Sequence, residues 1–312
     1  MSERRWSGRV RLRERLARRP PTRIRERVRA LRRRFVFHRE LRLRMISAAV
    51  LVPAVLVLTW YDEASFAGVV LLIGVLVYHE WIRMIGGGHL LLLRWIGWLG
   101  LAAVAVLAFT RPVETALAAL LVTVAVSALV ASRHRFDIAV RWVVAGLLYS
   151  GAAMIALIEL RKGADGFGAV VFVFLIAWAT DTAAFFVGRQ IGGPRLWRRI
   201  SPSKTWSGAV GGLLAGTVFG ALVASWLGAN IGVATILAAA VVAVSAQAGD
   251  LLESAAKRRF AVKDAGSLIP GHGGVMDRVD GLVTASLVTA LLGAVAAAET
   301  PASGLLSLMG RL

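Results

Sequence analysis

Between two membrane-length apolar runs lies the polar stretch 254–280, SAAKRRFAVKDAGSLIPGHGGVMDRVD. It carries Lys257, Arg258, Arg259 and Lys263 as a cluster of cations, a Pro270-Gly271-His272-Gly273-Gly274 turn, and two aspartates, Asp277 and Asp280. Asp250 and Glu253 lie just upstream. Carboxylates bind hard cations through oxygen, and Lys and Arg neutralise phosphate. Together these residue types point to metal-assisted chemistry on a phosphorylated substrate at a membrane surface.

Spacing sharpens that reading. Asp250, Ser254 and Lys257 recur at i, i+4, i+7 and share one helix face, with Gln247 one turn deeper. Helix-end capping and snorkelling account for Lys257 and Arg258 but poorly for Asp250, because an acidic residue at the rim of a span is costly. Asp277 and Asp280, at i, i+3, also face one way. Acidic residues suit a helix N-terminus, yet two carboxylates opposite Asp250 would make an oxygen-rich site for Mg²⁺. The glycines around His272 suit either an anion-binding nest of backbone N–H groups or a plain turn. No Gly-Lys-Ser/Thr follows them, so this is no Walker loop. Asp181 lies inside the apolar run AWATDTAAFFVGR and is a candidate site residue, with a packing hydrogen bond as its alternative. Ser201-Pro202-Ser203-Lys204-Thr205 offers hydroxyls and a lysine to a phosphate or nucleotide. His79-Glu80, at the end of the second run, could bind a ligand, but ordinary interfacial polarity is the favoured reading.

The elements that must position these groups are membrane helices. With 57% hydrophobic residues and a mean hydropathy of +0.69, the chain is too apolar for a soluble domain. A span needs about 20 residues, and nine runs qualify: 45–61, 64–82, 90–109, 113–131, 142–160, 167–187, 207–228, 231–250 and 281–298. Runs rich in Ala, Val, Leu and Gly favour helices over a barrel, whose strands would alternate with polar residues. The expectation is an all-α integral membrane protein with about nine transmembrane helices. Two regions follow: a basic tail, 1–44, and a polytopic body, 45–312.

The tail holds 18 Arg against four Glu. Ahead of a membrane body, such a tail meets anionic headgroups on the cytosolic side rather than nucleic acid. Ile24, Val28, Leu31 and Phe35 recur at helical spacing, which fits either an interfacial helix or a solvated arm. With the tail inside and nine spans threaded, 33 of the 37 Lys and Arg fall on the tail's side and 4 on the other. That bias supports a cytosolic N-terminus and puts loops 188–206 and 251–280 on the cytosolic face together. No cysteine is present, which excludes thiolate metal sites and cysteine nucleophiles.

The stretch 254–280 resembles the signature of the phosphatidate cytidylyltransferase (CDP-diacylglycerol synthase) family. The matching residues are Ser254, Lys257-Arg258, Lys263-Asp264, Pro270-Gly271-His272-Gly273-Gly274 and Asp277-Arg278-Val279-Asp280, without a gap in spacing. Ala256 departs from the larger apolar residue usual there. Asp181 with Gly188-Arg189, and Ser201–Thr205, are similar too. The resemblance is strong over about 175–285 and leaves the tail outside. It implies transfer of CMP from CTP to phosphatidic acid, giving CDP-diacylglycerol and pyrophosphate with Mg²⁺. It also implies a multi-pass protein in a cell membrane, such as the cytoplasmic membrane of a bacterium, and a possible homodimer. On these positions Asp250 and Asp277 would be metal ligands, with Asp280 and Ser254 in support. Lys257 would contact phosphate, with Asp181, Ser203, Lys204, Arg258, Lys263, His272 and Arg278 around the substrates.

Three rival readings make different demands. A CTP-dependent kinase of a lipid alcohol would need a base for its hydroxyl acceptor. A transporter would place ionisable groups near mid-membrane on broken helices, whereas here they cluster at one face, Asp181 being the main exception. A nucleic-acid-binding anchor would depend on the tail.

Overall fold

The structure is a computed structural model that describes residues 49–50, 52–133, 139–266, 268, 273–296 and 299–310. The basic tail, for which an interfacial helix and a solvated arm are both open, and His272 with Pro270-Gly271 lie outside the described residues. Everything described from Val50 onward packs as one compact unit.

Eight described helices are long and apolar enough to cross a membrane, as an all-α integral membrane protein requires. A short helix α1 (Val52–Tyr61) precedes them; it is the described part of the expected span 45–61. The long helices are α2 (Glu63–Met84), α3 (Leu91–Thr110), α4 (Val113–Arg133), α5 (Val140–Arg161), α6 (Gly166–Gln190), α7 (Trp206–Trp226), α8 (Val233–Arg259) and α9 (Met276–Val295). A last short helix, α10 (Pro301–Leu308), opens with a capping box between Thr300 and Ser303 and packs at the end of the bundle away from the polar loops. There Asn230 Nδ2 donates to Gly310 O (2.9 Å) and Arg161 Nε donates to Thr59 O (2.8 Å). The central helix is α5, with 72% of its most apolar window buried against 28% for α4 and α9. Its Leu147, Met154, Ile158 and Leu160 are almost wholly enclosed.

Two boundaries differ from the hydropathy reading, both beside the polar stretch. Helix α8 continues to Arg259, nine residues past the apolar run, because Ala255, Ala256 and the basic residues after them are good helix formers. Its last turn, Lys257-Arg258-Arg259, also sets positive charge against the negative end of the helix. Helix α9 starts at Met276, not near 281, so Asp277 lies in its first turn. Much of the expected loop is therefore helix.

A second departure from the all-helical expectation is small. Loop 191–205 folds into a hairpin of β1 (Arg195–Trp197) against antiparallel β2 (Ser201–Thr205), with Arg195 opposite Thr205 and Trp197 opposite Ser201. The hairpin is tied to α7, since Thr205 Oγ1 accepts the Gly208 N–H (3.1 Å) and Ser207 Oγ donates to Gly192 O (2.5 Å).

Glycine spacing sets the closest helix contacts. Along α7, Gly208, Gly212, Gly216 and Gly220 form one stripe of small residues, the device that lets membrane helices approach backbone to backbone. A Cβ at Gly212 would stand 2.7 Å from Thr180 O, and one at Gly216 would strike Thr180 Oγ1. Helix α6, which carries Asp181, is thereby clamped to the helix that follows the hairpin. Helices α8 and α9 meet in the same way. A Cβ at Gly249 would stand 2.5 Å from Asp280 O, and one at Gly281 would stand 3.0 Å from Ala246 O.

Candidate active site

Five elements meet at the hairpin end of the bundle: the ends of α2, α6 and α8, the start of α9, and β2. The Gly249–Gly281 approach puts the neighbouring residues Asp250 and Asp280 side by side. Lys204 reaches from β2 to form an ion pair with Asp250 Oδ2. Ser254 Oγ, one turn along α8, points at Asp250 Oδ1 at a long 3.4 Å. Asp280 Oδ1 accepts its neighbour's N–H, that of Gly281 (2.8 Å). Asp181 stands exposed on α6. It is close enough for Asp250 and Asp280 to repel it and for Lys204 and Arg278 to attract it.

A second set of charges is buried deeper. Lys257 Nζ lies 2.7 Å from Asp277 Oδ1 and 2.6 Å from Glu253 Oε2. The Glu253 side chain is fully enclosed, and those of Asp277 and Lys257 are 8% and 14% exposed. Asp277 Oδ2 also accepts the N–H groups of Gly274 (2.9 Å) and Ala265 (3.0 Å). Gly273, at φ +86°, makes the turn that aims the Gly274 N–H inward, a conformation that side-chain-bearing residues rarely adopt. Of the glycine segment considered as a nest, the described Gly274 N–H is thus directed to the Asp277 carboxylate.

The remaining expected residues ring the mouth. Ser203 is exposed, and its carbonyl accepts from Arg195 Nη1 (3.2 Å). Arg258 is exposed and donates from Nε to Ile200 O (3.3 Å), which fastens the hairpin to α8. Lys263 and Arg278 are exposed as well. The structure thus gathers Asp181, Lys204, Asp250, Ser254, Lys257, Asp277 and Asp280, and leaves Ser203, Arg258, Lys263 and Arg278 at the rim.

The polypeptide that builds this cluster of carboxylates and lysines is similar to a known group of sequences. The sequence model of the cytidylyltransferase family matches residues 42–296. The chain belongs to that family. It is 39% identical over 256 residues to the phosphatidate cytidylyltransferase of Brucella suis, covering 82% of this chain and 94% of that protein. The phosphatidate cytidylyltransferase of Brucella abortus gives the same identity and coverage. That of Staphylococcus saprophyticus is 37% identical over 153 residues, 48% of this chain and 58% of its own. The family match takes in every gathered residue of the site and stops short of α10.

Magnesium, which the family resemblance implies, asks for hard oxygen donors with room for water. Asp181, Asp250 and Asp280 supply such oxygens from three different helices, and their mutual repulsion is what a divalent cation would relieve. By donor chemistry and charge the site fits the ion. Among the described residues no three His, Asp or Glu side chains stand close enough together to form a ready-made cage. Asp277 is the least available of the expected ligands, because Lys257 and two N–H groups already take its oxygens.

Two residues beside this cluster escaped the sequence reading. Glu80, read as interfacial, is 2% exposed, and its Oε2 accepts the Met276 N–H at 2.8 Å. Tyr149, on α5, buries its hydroxyl without a hydrogen-bond partner among the described residues, within electrostatic reach of Asp250, Glu253, Asp277 and Asp280. Trp81 stacks on its ring, centroids 5.6 Å apart. Glu80 could have been suspected as a carboxylate inside a span. Tyr149 gave no signal, since aromatic residues are common in membrane helices.

Proposed function

We propose that this protein transfers CMP from CTP to phosphatidic acid, forming CDP-diacylglycerol and pyrophosphate in phospholipid synthesis. The observation that carries the reading is the convergence of three carboxylates, Asp181, Asp250 and Asp280, with Lys204 and Lys257 at one end of a membrane bundle. The names of the relatives agree with it.

A phosphate monoester has a second pKa near 6, so phosphatidate is largely dianionic at neutral pH and attacks without a general base. One of its phosphate oxygens forms a bond to the α-phosphorus of CTP. The bond from that phosphorus to the bridging oxygen breaks, and pyrophosphate leaves with the electron pair. The barrier is the meeting of two polyanions, so the chain's task is charge balance and alignment. Lys204, partly exposed on the hairpin, is placed to exchange Asp250 for a phosphate oxygen. Lys257 orders Asp277 and Glu253 beneath the reacting groups, while Arg258, Lys263 and Arg278 at the rim meet incoming anions. Ser203, Ser254 and His272 are assigned to substrate contact. Asp250 and Asp280, with Asp181 near them, would hold Mg²⁺, and Asp277 would join them on releasing Lys257. A bound magnesium ion would neutralise the triphosphate and the leaving pyrophosphate.

The site would face the cytosol, where CTP is found, in the cytoplasmic membrane of a bacterium. A lipid-alcohol kinase would need a general base for its hydroxyl acceptor, a demand that an already dianionic phosphate acceptor does not make.

The test is purified protein in detergent with CTP labelled at the α-phosphorus, magnesium, and either phosphatidic acid or diacylglycerol. Label should enter a chloroform-soluble product with phosphatidic acid alone and fail to do so with EDTA. Folded protein that transfers nothing to phosphatidic acid would overturn the substrate assignment.

A further inference from the structure

We infer that Glu80 is a positioning residue for the transfer: a carboxylate from α2 that sets the start of α9 and, through it, the geometry of Asp277 and Lys257. Every helix begins with N–H groups that have no partner inside it, and a side-chain oxygen at the N-cap normally takes one of them. Helix α9 starts after Val275, which has no such oxygen and makes no side-chain cap. The acceptor arrives instead from a residue 196 positions earlier, Glu80, whose Oε2 takes the Met276 N–H at 2.8 Å. A negative charge at that end also suits the helix dipole.

The same carboxylate shapes the turn in front of the helix. A Cβ at Gly274 would stand 2.5 Å from Glu80 Oε2, and one at Gly266 would strike Oε1. Both sides of the turn therefore lie directly on Glu80. These are the segments that grip Asp277, through the Gly274 N–H and the N–H of Ala265 beside Gly266. Asp277 in turn holds Lys257. A single carboxylate thus underlies a relay in which the turn rests on Glu80, Asp277 on the turn, and Lys257 on Asp277.

A buried carboxylate is an expensive way to secure a loop. Glu80 is 2% exposed, and its Oε1 has no hydrogen-bond partner among the described residues. Apolar packing would secure the turn at less cost, but it would not orient two amides toward one carboxylate. Positioning accounts for both the acid and its location, outside the polar stretch yet against it.

The inference rests on the cytidylyltransferase reading, so its test carries one measurement that needs no activity. Glu80→Ala should lower kcat by about 100-fold, the scale of loss that follows from misplacing groups by about 1 Å. KM for CTP should stay within about threefold. Glu80→Gln, with the same shape and one acceptor oxygen for Met276 N–H, should recover most of kcat. Amide exchange at Ala265, Gly274 and Met276 should quicken in Glu80→Ala and return in Glu80→Gln, with α6 and α7 unchanged. Should Glu80→Ala fail to insert, Gly266→Ala displaces the carboxylate from the opposite side and should give the same split between kcat and KM. Wild-type kcat in Glu80→Ala, equal damage from Ala and Gln, or unchanged exchange at the three amides would each overturn the inference. Wild-type protein that transfers nothing would overturn the reaction instead, and the amide measurement would still decide the role of Glu80.

Discussion

Lys257 reaches Asp277 across the turn between α8 and α9, Nζ to Oδ1 2.7 Å, and so ties the end of one membrane helix to the start of the next. Both side chains are largely enclosed, and Glu253 shares the same ammonium. Charge removed from one member leaves the others buried without compensation. Lys257→Met should therefore destabilise the protein by about 3–5 kcal/mol, as loss of one partner from a buried pair does. A thermal melt in detergent would register this, and a melt at the wild-type temperature would contradict it.

Asp250 and Lys204 form a more exposed pair, with side chains 27% and 25% accessible. Partly solvated pairs contribute about 0–1 kcal/mol, so Asp250→Asn and Lys204→Met should both melt near the wild type. Activity should separate them from surface substitutions. Asp250→Asn should lose roughly 100-fold or more in kcat, the scale of losing the charge stabilisation that the cation it would hold supplies. Lys204→Met should raise KM for CTP. Initial rates on both variants, beside their melts, check the two statements.

The close approach of α8 and α9 should tolerate side chains unequally. At Gly249 an added Cβ meets the Asp280 carbonyl at 2.5 Å and Thr284 beside it, whereas at Gly281 the nearest atom is Ala246 O at 3.0 Å. Gly249→Ala should therefore cost about 1–3 kcal/mol, the usual penalty of overpacking, and should lower activity by spreading Asp250 from Asp280. Gly281→Ala should be milder on both counts. Gly68→Ala, where nothing lies within 4 Å, is the control.

Magnesium held as proposed by Asp250 and Asp280 would make transfer metal-dependent. EDTA should abolish transfer without changing the melt of the apo protein, and added Mg²⁺ should restore it. Asp280→Asn should need at least about tenfold more Mg²⁺ for half-maximal rate, if the carboxylate contributes one ligand's worth of binding. An unchanged magnesium requirement in both Asp250→Asn and Asp280→Asn would remove these residues from the metal assignment.

The absence of cysteine makes orientation directly measurable. Ser203→Cys, on the exposed part of the hairpin, and Arg111→Cys, in the exposed turn between α3 and α4, lie at opposite ends of the bundle. An impermeant maleimide added to intact cells should label Arg111→Cys, and should reach Ser203→Cys after the cells are opened. The reverse pattern would place the site outside.

The apolar runs were enough to establish a helical membrane protein, because a span must satisfy its backbone internally and helices do so from local sequence. Six of the eight long helices lie within a few residues of their apolar runs; α9 starts ahead of its run and α8 overruns its own. Those two limits were hidden because hydropathy marks where lipid ends, not where helix does. The same motifs pointed to Asp250, Asp277 and Asp280, whose i, i+3 and i, i+4 neighbours share faces by helix geometry alone. Spacing within one helix carries no information about contacts between helices. That Gly249 and Gly281 bring Asp250 beside Asp280, that Lys204 crosses from a hairpin to Asp250, and that Asp277 is held by its own glycine turn all depend on packing between distant segments. Glu80 is the sharpest case. Its acceptor oxygen meets an N–H 196 positions away, a pairing that exists because α2 and α9 end at the same edge of the bundle.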